Sequence, residues 1–165
     1  MPNWCENTLE IYGDEDKMKE FYDFFGGQDK FLDNFCFNNI ITMPQELDGS
    51  RSPSNIISQE DYDRYTQLEK KHNIKDTNDV FKLVEDGTIT EEERDLIWKE
   101  GITQEMSDMR KSEYGYDNWY DWQCHHWDTK WDIDGKLHID DLHDEGCTLI
   151  FQTAWSPPEA IVYKL

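Results

Sequence analysis

Two pairs of cysteine and histidine stand in the C-terminal part of the chain at spacings that suit a metal ion. Cys124 and His126 form the first pair, and His143 and Cys147 form the second. Zinc favours four thiolate or imidazole ligands in a tetrahedron, and proteins often supply them as two such pairs. We therefore predict one zinc ion bound by these four residues. It is expected to be structural, because four protein ligands leave no open coordination position.

Other ligand sets remain open at the level of sequence. His125 can replace His126, because the spacing does not fix the phase of the surrounding helix, and Cys5 can replace either cysteine of the site. A different interpretation has no metal at all. In that case the two cysteines are small buried apolar side chains and His143 is a turn residue.

Carboxylates form a second group of candidate ligands. Paired carboxylates can bind Mg²⁺ or Ca²⁺ and catalyse phosphoryl chemistry. Here, however, the stretch DIDGKLHIDDLH lacks the glutamate that ends an EF-hand loop, and its glycine comes too early. A solvated acidic face is the better interpretation. The acidic residues that crowd this predicted hairpin are Asp132, Asp134, Asp140, Asp141, Asp144 and Glu145.

Common enzyme signatures are missing from the sequence. It has no Gly-x-Ser-x-Gly nucleophile motif, no Walker A loop, no dinucleotide-binding fingerprint and no His-Glu-x-x-His motif. We therefore expect a binding protein and not an enzyme.

The chain is strongly acidic, with 37 Asp and Glu against 16 Lys and Arg, and its formal net charge is −21. Such a field repels nucleic acid and anionic membrane surfaces, and it attracts basic surfaces. We predict that the protein binds a basic protein surface, and not DNA, RNA or a membrane. The predicted contact surface is an acidic helix that bears Glu91, Glu92, Glu93 and Asp95.

Aromatic residues make up 14% of the chain, which indicates a core packed from a few large side chains. Rows of tryptophan can also stack nucleobases, but such binders interleave Lys and Arg, and here Asp is interleaved. Most of the tryptophans are therefore expected to pack in the core. The set considered is Trp4, Trp119, Trp122, Trp127, Trp131 and Trp155.

The periodicity of the chain predicts that an α+β fold positions these residues. Alternation of polar and apolar residues predicts strands, and apolar residues three and four apart predict helices. The predicted antiparallel sheet contains residues 7–12, 36–42, 130–141 and 147–155. Two helices, 15–25 and 117–127, are expected to pack on one face of this sheet.

A helical insertion is predicted between the two halves of the sheet. Ser58 with Asp61, and Thr90 with Glu93, are spaced as helix-capping pairs, and glycines end the helical segments. The insertion covers about 58–112. The chain is thus expected to be a single domain, 1–165, with a core of 1–57 and 113–165.

Four stretches of the sequence carry a family resemblance. They are MPNWCENTLEI at the start, IITMPQEL at 40–47, NWYDWQCHHWDTKWD at 118–132, and FQTAWSPPEA at 151–160. Together they resemble the phage and plasmid family whose domain is called YubB ferredoxin-like. The resemblance implies a βαββαβ core, and the family carries no established catalytic activity. The insertion lies outside the resemblance.

The chain departs from the family pattern at three places. The family tends to have glycine where this chain has Asp128, and a second cysteine where it has Gln123. The sequence stops at Leu165, where the family continues through a helix into a last strand. The sheet is therefore expected to lack that strand and to leave an edge for a partner to cover.

The start of the chain predicts a cytoplasmic protein. Met1-Pro2-Asn3 opens into polar sequence, and no apolar run approaches the roughly 20 residues of a membrane span. With the charge and the resemblance, this favours an inhibitor of a host nuclease or another nucleic-acid-binding defence protein, of anti-CRISPR or anti-restriction type. The alternatives are a small metal-dependent hydrolase or transferase of phage metabolism, and an accessory structural module.

Overall fold

The computed structural model describes residues 3–133, 137–143 and 145–165. These residues form helices and an antiparallel sheet of three strands, so the α+β prediction is confirmed. The chain divides into two compact units, Met1–Met43 with Trp122–Leu165, and Pro44–Asp121. We call the first the sheet unit and the second the helical unit.

In sequence, most of the chain separates the first strand from the other two strands. In chain order the elements are β1 (Trp4–Tyr12), α1 (Glu15–Phe24), α2 (Phe31–Asn34), α3 (Phe37–Ile40), a 3₁₀ turn (Gln45–Leu47), α4 (Gln59–His72), α5 (Thr77–Glu85), α6 (Glu91–Lys99), α7 (Gln104–Tyr114), α8 (Trp119–His126), β2 (His138–His143), β3 (Gly146–Ala154) and α9 (Glu159–Lys164). None of the helices in the described ranges combines the length and apolar character of a membrane span.

The sheet has the strand order β1-β3-β2, and both strand pairs are antiparallel. β1 pairs with β3 over its whole length, from Trp4 opposite Ala154 to Tyr12 opposite Gly146. A side chain at position 146 would clash, because a Cβ there would lie 2.7 Å from the backbone oxygen of Ile11. A βαββαβ core contains four strands and the described residues form three, so the ferredoxin-like topology is not confirmed.

The prediction of a strand at 36–42 is wrong, because this segment contains the short helix α3. The carboxylate of Asp132 accepts hydrogen bonds from the backbone N–H groups of Phe37, at 2.7 Å, and Asn38, at 3.0 Å. These are N–H groups of the first helical turn, which lack a partner inside the helix. A cap supplied by a residue 95 positions away therefore fixes the local conformation.

The strand predicted over 130–141 is found only in part. Residues 130–133 do not belong to a strand, residues 134–136 lie outside the described residues, and β2 begins at His138. The predictions at 7–12 and 147–155 are confirmed by β1 and β3, and those at 15–25 and 117–127 by α1 and α8.

Aromatic rings form much of the core of the sheet unit. Phe31 contacts Phe25 and Phe35 at ring-centroid distances of 5.3 and 5.4 Å, and Phe35 reaches Phe151 on β3 at 6.4 Å. These four rings are buried. Large side chains in edge-to-face contact bury much apolar area per residue, which suits a chain that is only 36% hydrophobic.

The helical unit contains the predicted insertion and confirms that it is helical. Its helices start at side-chain caps: Ser58 accepts from the N–H of Asp61, and Thr103 accepts from that of Met106. A small apolar cluster of Val80, Ile89 and Ile97 is buried between these helices. The unit is longer than the predicted insertion, since it begins at Pro44 and ends at Asp121.

Candidate binding surfaces

The first pair of predicted zinc ligands lies on α8. Cys124 is half-buried, and the ring of His126 packs on Trp122 with centroids 4.3 Å apart. Burial holds the pKa of His126 below its ordinary value, and the neighbouring His125 adds to the effect. His126 is therefore neutral at neutral pH, the form in which imidazole binds metal.

The second pair lies at the β2–β3 turn. Burial raises the pKa of the Cys147 thiol, although a hydrogen bond with Tyr22 opposes the shift. His143 ends β2, and its Nδ1 accepts the backbone N–H of Glu145 at 3.2 Å. This bond is typical of a turn residue. The geometry thus gives both residues a structural role without a metal.

The structure does not gather the four predicted ligands into a metal centre. In residues 3–133, 137–143 and 145–165 no three His, Cys, Asp or Glu side chains form a group that could hold a metal ion. Cys5 lies opposite Thr153, and Cys147 lies opposite Ile11, six residues along β1. That spacing is about 20 Å, so Cys5 and Cys147 cannot share one ion. The zinc site stays a prediction.

The acidic residues of the predicted hairpin lie in different environments. Asp132 caps α3, as described above, while Asp140 and Asp141 are exposed on β2. Asp134 and Asp144 lie outside the described residues. The structural cap at Asp132 was missed in the sequence, because nothing in the spacing connects it to residue 37.

The acidic residues predicted to contact a partner lie at the start of α6, but one of them has a structural role. The carboxylate of Glu93 accepts the backbone N–H of Thr90 at 2.8 Å, while the Thr90 hydroxyl accepts the N–H of Glu93. This reciprocal capping box holds the pKa of Glu93 below its ordinary value, chiefly through the Thr90 N–H. Glu93 therefore stabilises the helix end.

The other three acidic residues are exposed on α6. Glu91 and Asp95 are four residues apart, so their side chains project from the same side of the helix. Asp95 accepts a hydrogen bond from Arg94 at 2.7 Å. Glu92 lies 3.9 Å from Arg64, but both side chains are largely exposed, so this ion pair contributes little.

An aromatic pair lies beside these carboxylates. The rings of Phe81 on α5 and Trp98 on α6 are 5.4 Å apart, and these residues remain 54% and 40% exposed. The guanidinium of Arg94 lies 4.7 Å from the Trp98 ring centroid. Trp98 follows Glu91 by seven residues, two helical turns, and so shares its side of α6. That spacing is the sequence signal that was overlooked.

We call this surface the acidic-aromatic face. It combines carboxylates with a half-exposed tryptophan, the residue type most enriched at the energetic centres of protein interfaces. All its members belong to the helical unit. They are Phe81, Glu91, Glu92, Asp95 and Trp98.

The prediction that most tryptophans pack in the core is confirmed for Trp122 and Trp127, which are buried. It is wrong for Trp4 and Trp155, which are 45% and 49% exposed. The sheet unit thus has a tryptophan cluster on its surface. Its rings are those of Trp4 and Trp131, 6.0 Å apart, and Trp155, whose ring centroid lies 5.4 Å from Lys130 Nζ.

The backbone beneath the tryptophan cluster adopts uncommon conformations. Asp128 has φ 60° and Trp155 has φ 79°, in the left-handed region where glycine is favoured. Asp128 tolerates this conformation and is held in place, because its carboxylate accepts the N–H of Ala160 at 2.8 Å. The Thr129 hydroxyl donates to the oxygen of Ala154 at 2.9 Å. Residues 128–131 and 154–160 therefore form one bonded structure.

No family model, curated protein or solved structure matches this chain. The resemblance to the YubB ferredoxin-like family therefore stays a prediction. Two of the stretches that carry it, 118–132 and 151–160, meet at the tryptophan cluster.

Proposed function

We propose that the protein is an acidic binding protein that occupies a basic surface of another protein through its acidic-aromatic face. The observation that carries this proposal is the position of Glu91 and Asp95 on the same exposed side of α6 as Trp98. A desolvated aromatic anchor surrounded by charge is the arrangement that gives an interface both affinity and orientation.

The partner we propose is a host nuclease or another nucleic-acid-binding defence protein. Its basic nucleic-acid channel has the field opposite to that of a chain with net charge −21. Occupying the channel would exclude DNA or RNA by competition, which is inhibition of anti-CRISPR or anti-restriction type. The resemblance to a phage and plasmid family, and the cytoplasmic location that the sequence predicts, support this choice.

Carboxylates and tryptophan are expected to act at different stages of binding. Exposed charges steer the encounter, so their effect falls on the association rate and weakens with salt, which screens beyond roughly 8 Å at physiological strength. Trp98 would be buried in the complex, so its loss falls on the dissociation rate. The two contributions can therefore be measured separately.

The experiment uses purified CRISPR effectors and restriction enzymes, with DNA cleavage and surface plasmon resonance as readouts. We expect inhibition of at least one enzyme by the wild-type protein. The variant E91K/E92K/D95K is expected to slow association about tenfold or more at low salt, and W98A to speed dissociation about tenfold. Glu93 is left unchanged, because its reversal would also remove the cap.

The matched control is D23K/D29K/D33K, which makes the same change in net charge on the sheet unit. If it slows association as much as the α6 variant does, only the total charge matters and the acidic-aromatic face is not the contact. Tight binding of the wild-type protein to nucleic acid alone, in a mobility-shift assay, contradicts the proposal altogether.

A further inference from the structure

The helical unit contains a cavity of about 160 Å³. It is lined by the segment 48–55, by α4, by the turn 100–102 and by α7, so every lining residue belongs to one compact unit. Because benzene fills an apolar cavity of about 150 Å³, this cavity has room for a ligand of about six to eight heavy atoms.

Two arginines line this cavity, and among the described residues neither forms an ion pair. Arg51 donates through Nη1 to the backbone oxygens of Trp98 and Lys99, at 3.2 and 3.0 Å. Arg110 donates through Nη1 to the backbone oxygen of Asp117 at 3.3 Å. A guanidinium has several further N–H donors. Both side chains are thus held in place while their charge remains uncompensated, although the chain is rich in carboxylates.

The same cavity is also lined by two carboxylates, those of Asp48 and Glu100. The lining therefore combines two positive and two negative side chains. A simple anion in the cavity would meet the two carboxylates, and a simple cation would meet the two guanidinium groups. A ligand that carries one charge of each sign can be attracted by both pairs.

The backbone holds Glu100 beside the cavity in an uncommon conformation, with φ 24°. The side chain of Asn55 donates to the backbone oxygen of Lys99 at 2.6 Å, and the N–H of Ile102 donates to that of Asn55 at 2.9 Å. Between them, a Cβ at Gly101 would lie 2.6 Å from the same Asn55 oxygen. Strained residues that surrounding contacts enforce are concentrated at functional sites.

Two half-buried tyrosines of α4 line another part of the cavity. The rings of Tyr62 and Tyr65 meet edge to face, with centroids 5.7 Å apart. Burial raises the pKa of Tyr65 to about 12, and the carboxylate of Glu69 adds to the shift. Burial also raises the pKa of Glu69, and Glu100 adds to it. This side of the cavity thus has a negative field and aromatic rings, which both attract an ammonium group.

We propose that this cavity binds a small zwitterion of the α-amino-acid class. Its carboxylate would pair with Arg51 and Arg110, and its ammonium group would face Glu100 and the two tyrosines. The volume of the cavity restricts the ligand to amino acids with small side chains. This site goes beyond the function proposed above, because it requires no partner protein and can be tested on the isolated chain.

The first test titrates the full chain with glycine, L-alanine, L-serine, L-threonine, L-proline and L-valine. The chain has four arginines, so their Nε–H signals can be followed individually by NMR. We expect at least one amino acid to bind with a Kd of about 1 mM or below and to shift the signals of Arg51 and Arg110 more than those of Arg64 and Arg94. If none of the six gives a saturable shift up to about 10 mM, the proposal is overturned.

Two close analogues of the best-bound amino acid separate its charges. The carboxylic acid that lacks the amino group keeps only the negative charge, and the amide keeps only the positive one. We expect each analogue to bind at least about tenfold more weakly than the amino acid. Equal affinity for the acid would assign the cavity to anions, and equal affinity for the amide would assign it to cations. Either result contradicts a zwitterion site.

Variants at Glu100 connect the ligand to this cavity. E100G removes the carboxylate and relieves the positive φ, so it should keep or gain stability in urea denaturation and yet bind the ligand about tenfold more weakly. N73G is the matched control, because Asn73 also has a positive φ, 51°, and does not line the cavity.

E100Q keeps the backbone strain and removes only the charge, so it should weaken binding about as much as E100G. Wild-type affinity in E100Q would show that the Glu100 charge does not hold the ligand and would overturn the proposal. R51K/R110K keeps both positive charges and loses the forked donors, and is expected to weaken binding about tenfold. Unchanged affinity in that variant would equally contradict the site.

Discussion

The backbone N–H of Phe37 donates a 2.7 Å hydrogen bond to the carboxylate of Asp132, which lies 95 positions further along the chain. The same carboxylate accepts from Asn38 and from its own neighbour Ile133. One side chain thus fixes the helix α3 and attaches it to the segment that follows α8. Phe37 is fully buried beside Trp127, with ring centroids 6.0 Å apart.

Removal of this carboxylate is expected to destabilise the sheet unit. Replacement of a helix-capping side chain by alanine costs about 1 to 2 kcal/mol, so D132A should lower the free energy of unfolding by that amount. Urea denaturation followed by tryptophan fluorescence measures it. D140A, on the exposed side of β2, is the control and should change stability by less than about 0.5 kcal/mol. Equal stability of the two variants would contradict a capping role for Asp132.

Asp117 is expected to make the helical unit sensitive to acid. Burial alone would raise its pKa, but hydrogen bonds from Ser107 at 2.5 Å and Asn118 at 3.0 Å, with the Lys111 ammonium at 2.9 Å, hold the pKa well below its usual range. A lowered folded-state pKa gives stability that is complete above the unfolded value of about 4 and is lost as the pH falls below it.

The variant D117N tests this linkage. Wild-type unfolding free energy should fall between about pH 5 and pH 2.5, and the fall should be smaller in D117N because the titrating group is gone. At pH 7 the variant should be less stable by about 2 to 4 kcal/mol, since a buried network loses its charge. Identical pH dependence in the two proteins would show that other carboxylates cause the acid sensitivity.

The capping box at Thr90 is expected to stabilise the very helix that carries the acidic-aromatic face. T90A should cost about 1 kcal/mol, because the N–H of Glu93 loses its acceptor. E92A, one residue before Glu93 and without a cap bond, should be nearly neutral. Thermal unfolding of the two variants and the wild-type protein measures these differences in stability. If E92A is as destabilising as T90A, the acidic residues of α6 stabilise the fold, and their effects on binding would need reinterpretation.

Metal analysis decides the zinc prediction. If the site forms, the protein purified without chelator should carry about one zinc per chain, and EDTA should lower its Tm. Simultaneous C124S/C147S should abolish both effects. Less than about a tenth of an equivalent of metal in the wild-type protein would leave Cys147 as a buried core thiol and His143 as a turn residue, the roles that their contacts already support.

The elements that sequence predicted well are those whose determinants are local. The caps at Ser58 and Thr90 lie within three residues of the N–H groups that they bind, and the alternation in β1 and β3 lies inside each strand. The strand prediction for 36–42 was wrong for the opposite reason, since the determinant of this segment is distant in sequence. Its β-branched and aromatic residues favour a strand, whereas the observed helix is stabilised by hydrogen bonds to the distant Asp132.

The candidate sites differ in the same way, because some depend on local sequence and others on contacts between distant residues. The acidic side of α6 could be predicted from composition and helical spacing, and the same spacing would have included Trp98. The predicted ligands could not be placed by spacing, because His143 and Cys147 lie at one end of the sheet, far from Cys5.

The pairing of Trp4 with Ala154 also determines when the sheet can form during synthesis. A ribosome adds about 5 to 20 residues per second, so β1 emerges many seconds before β3 has been made. The segment Pro44–Asp121 is complete in that interval and can fold while β1 is still waiting for its partner. During that time neither edge of β1 is paired. The unpaired backbone of β1 is then a surface of the nascent chain that a chaperone can bind.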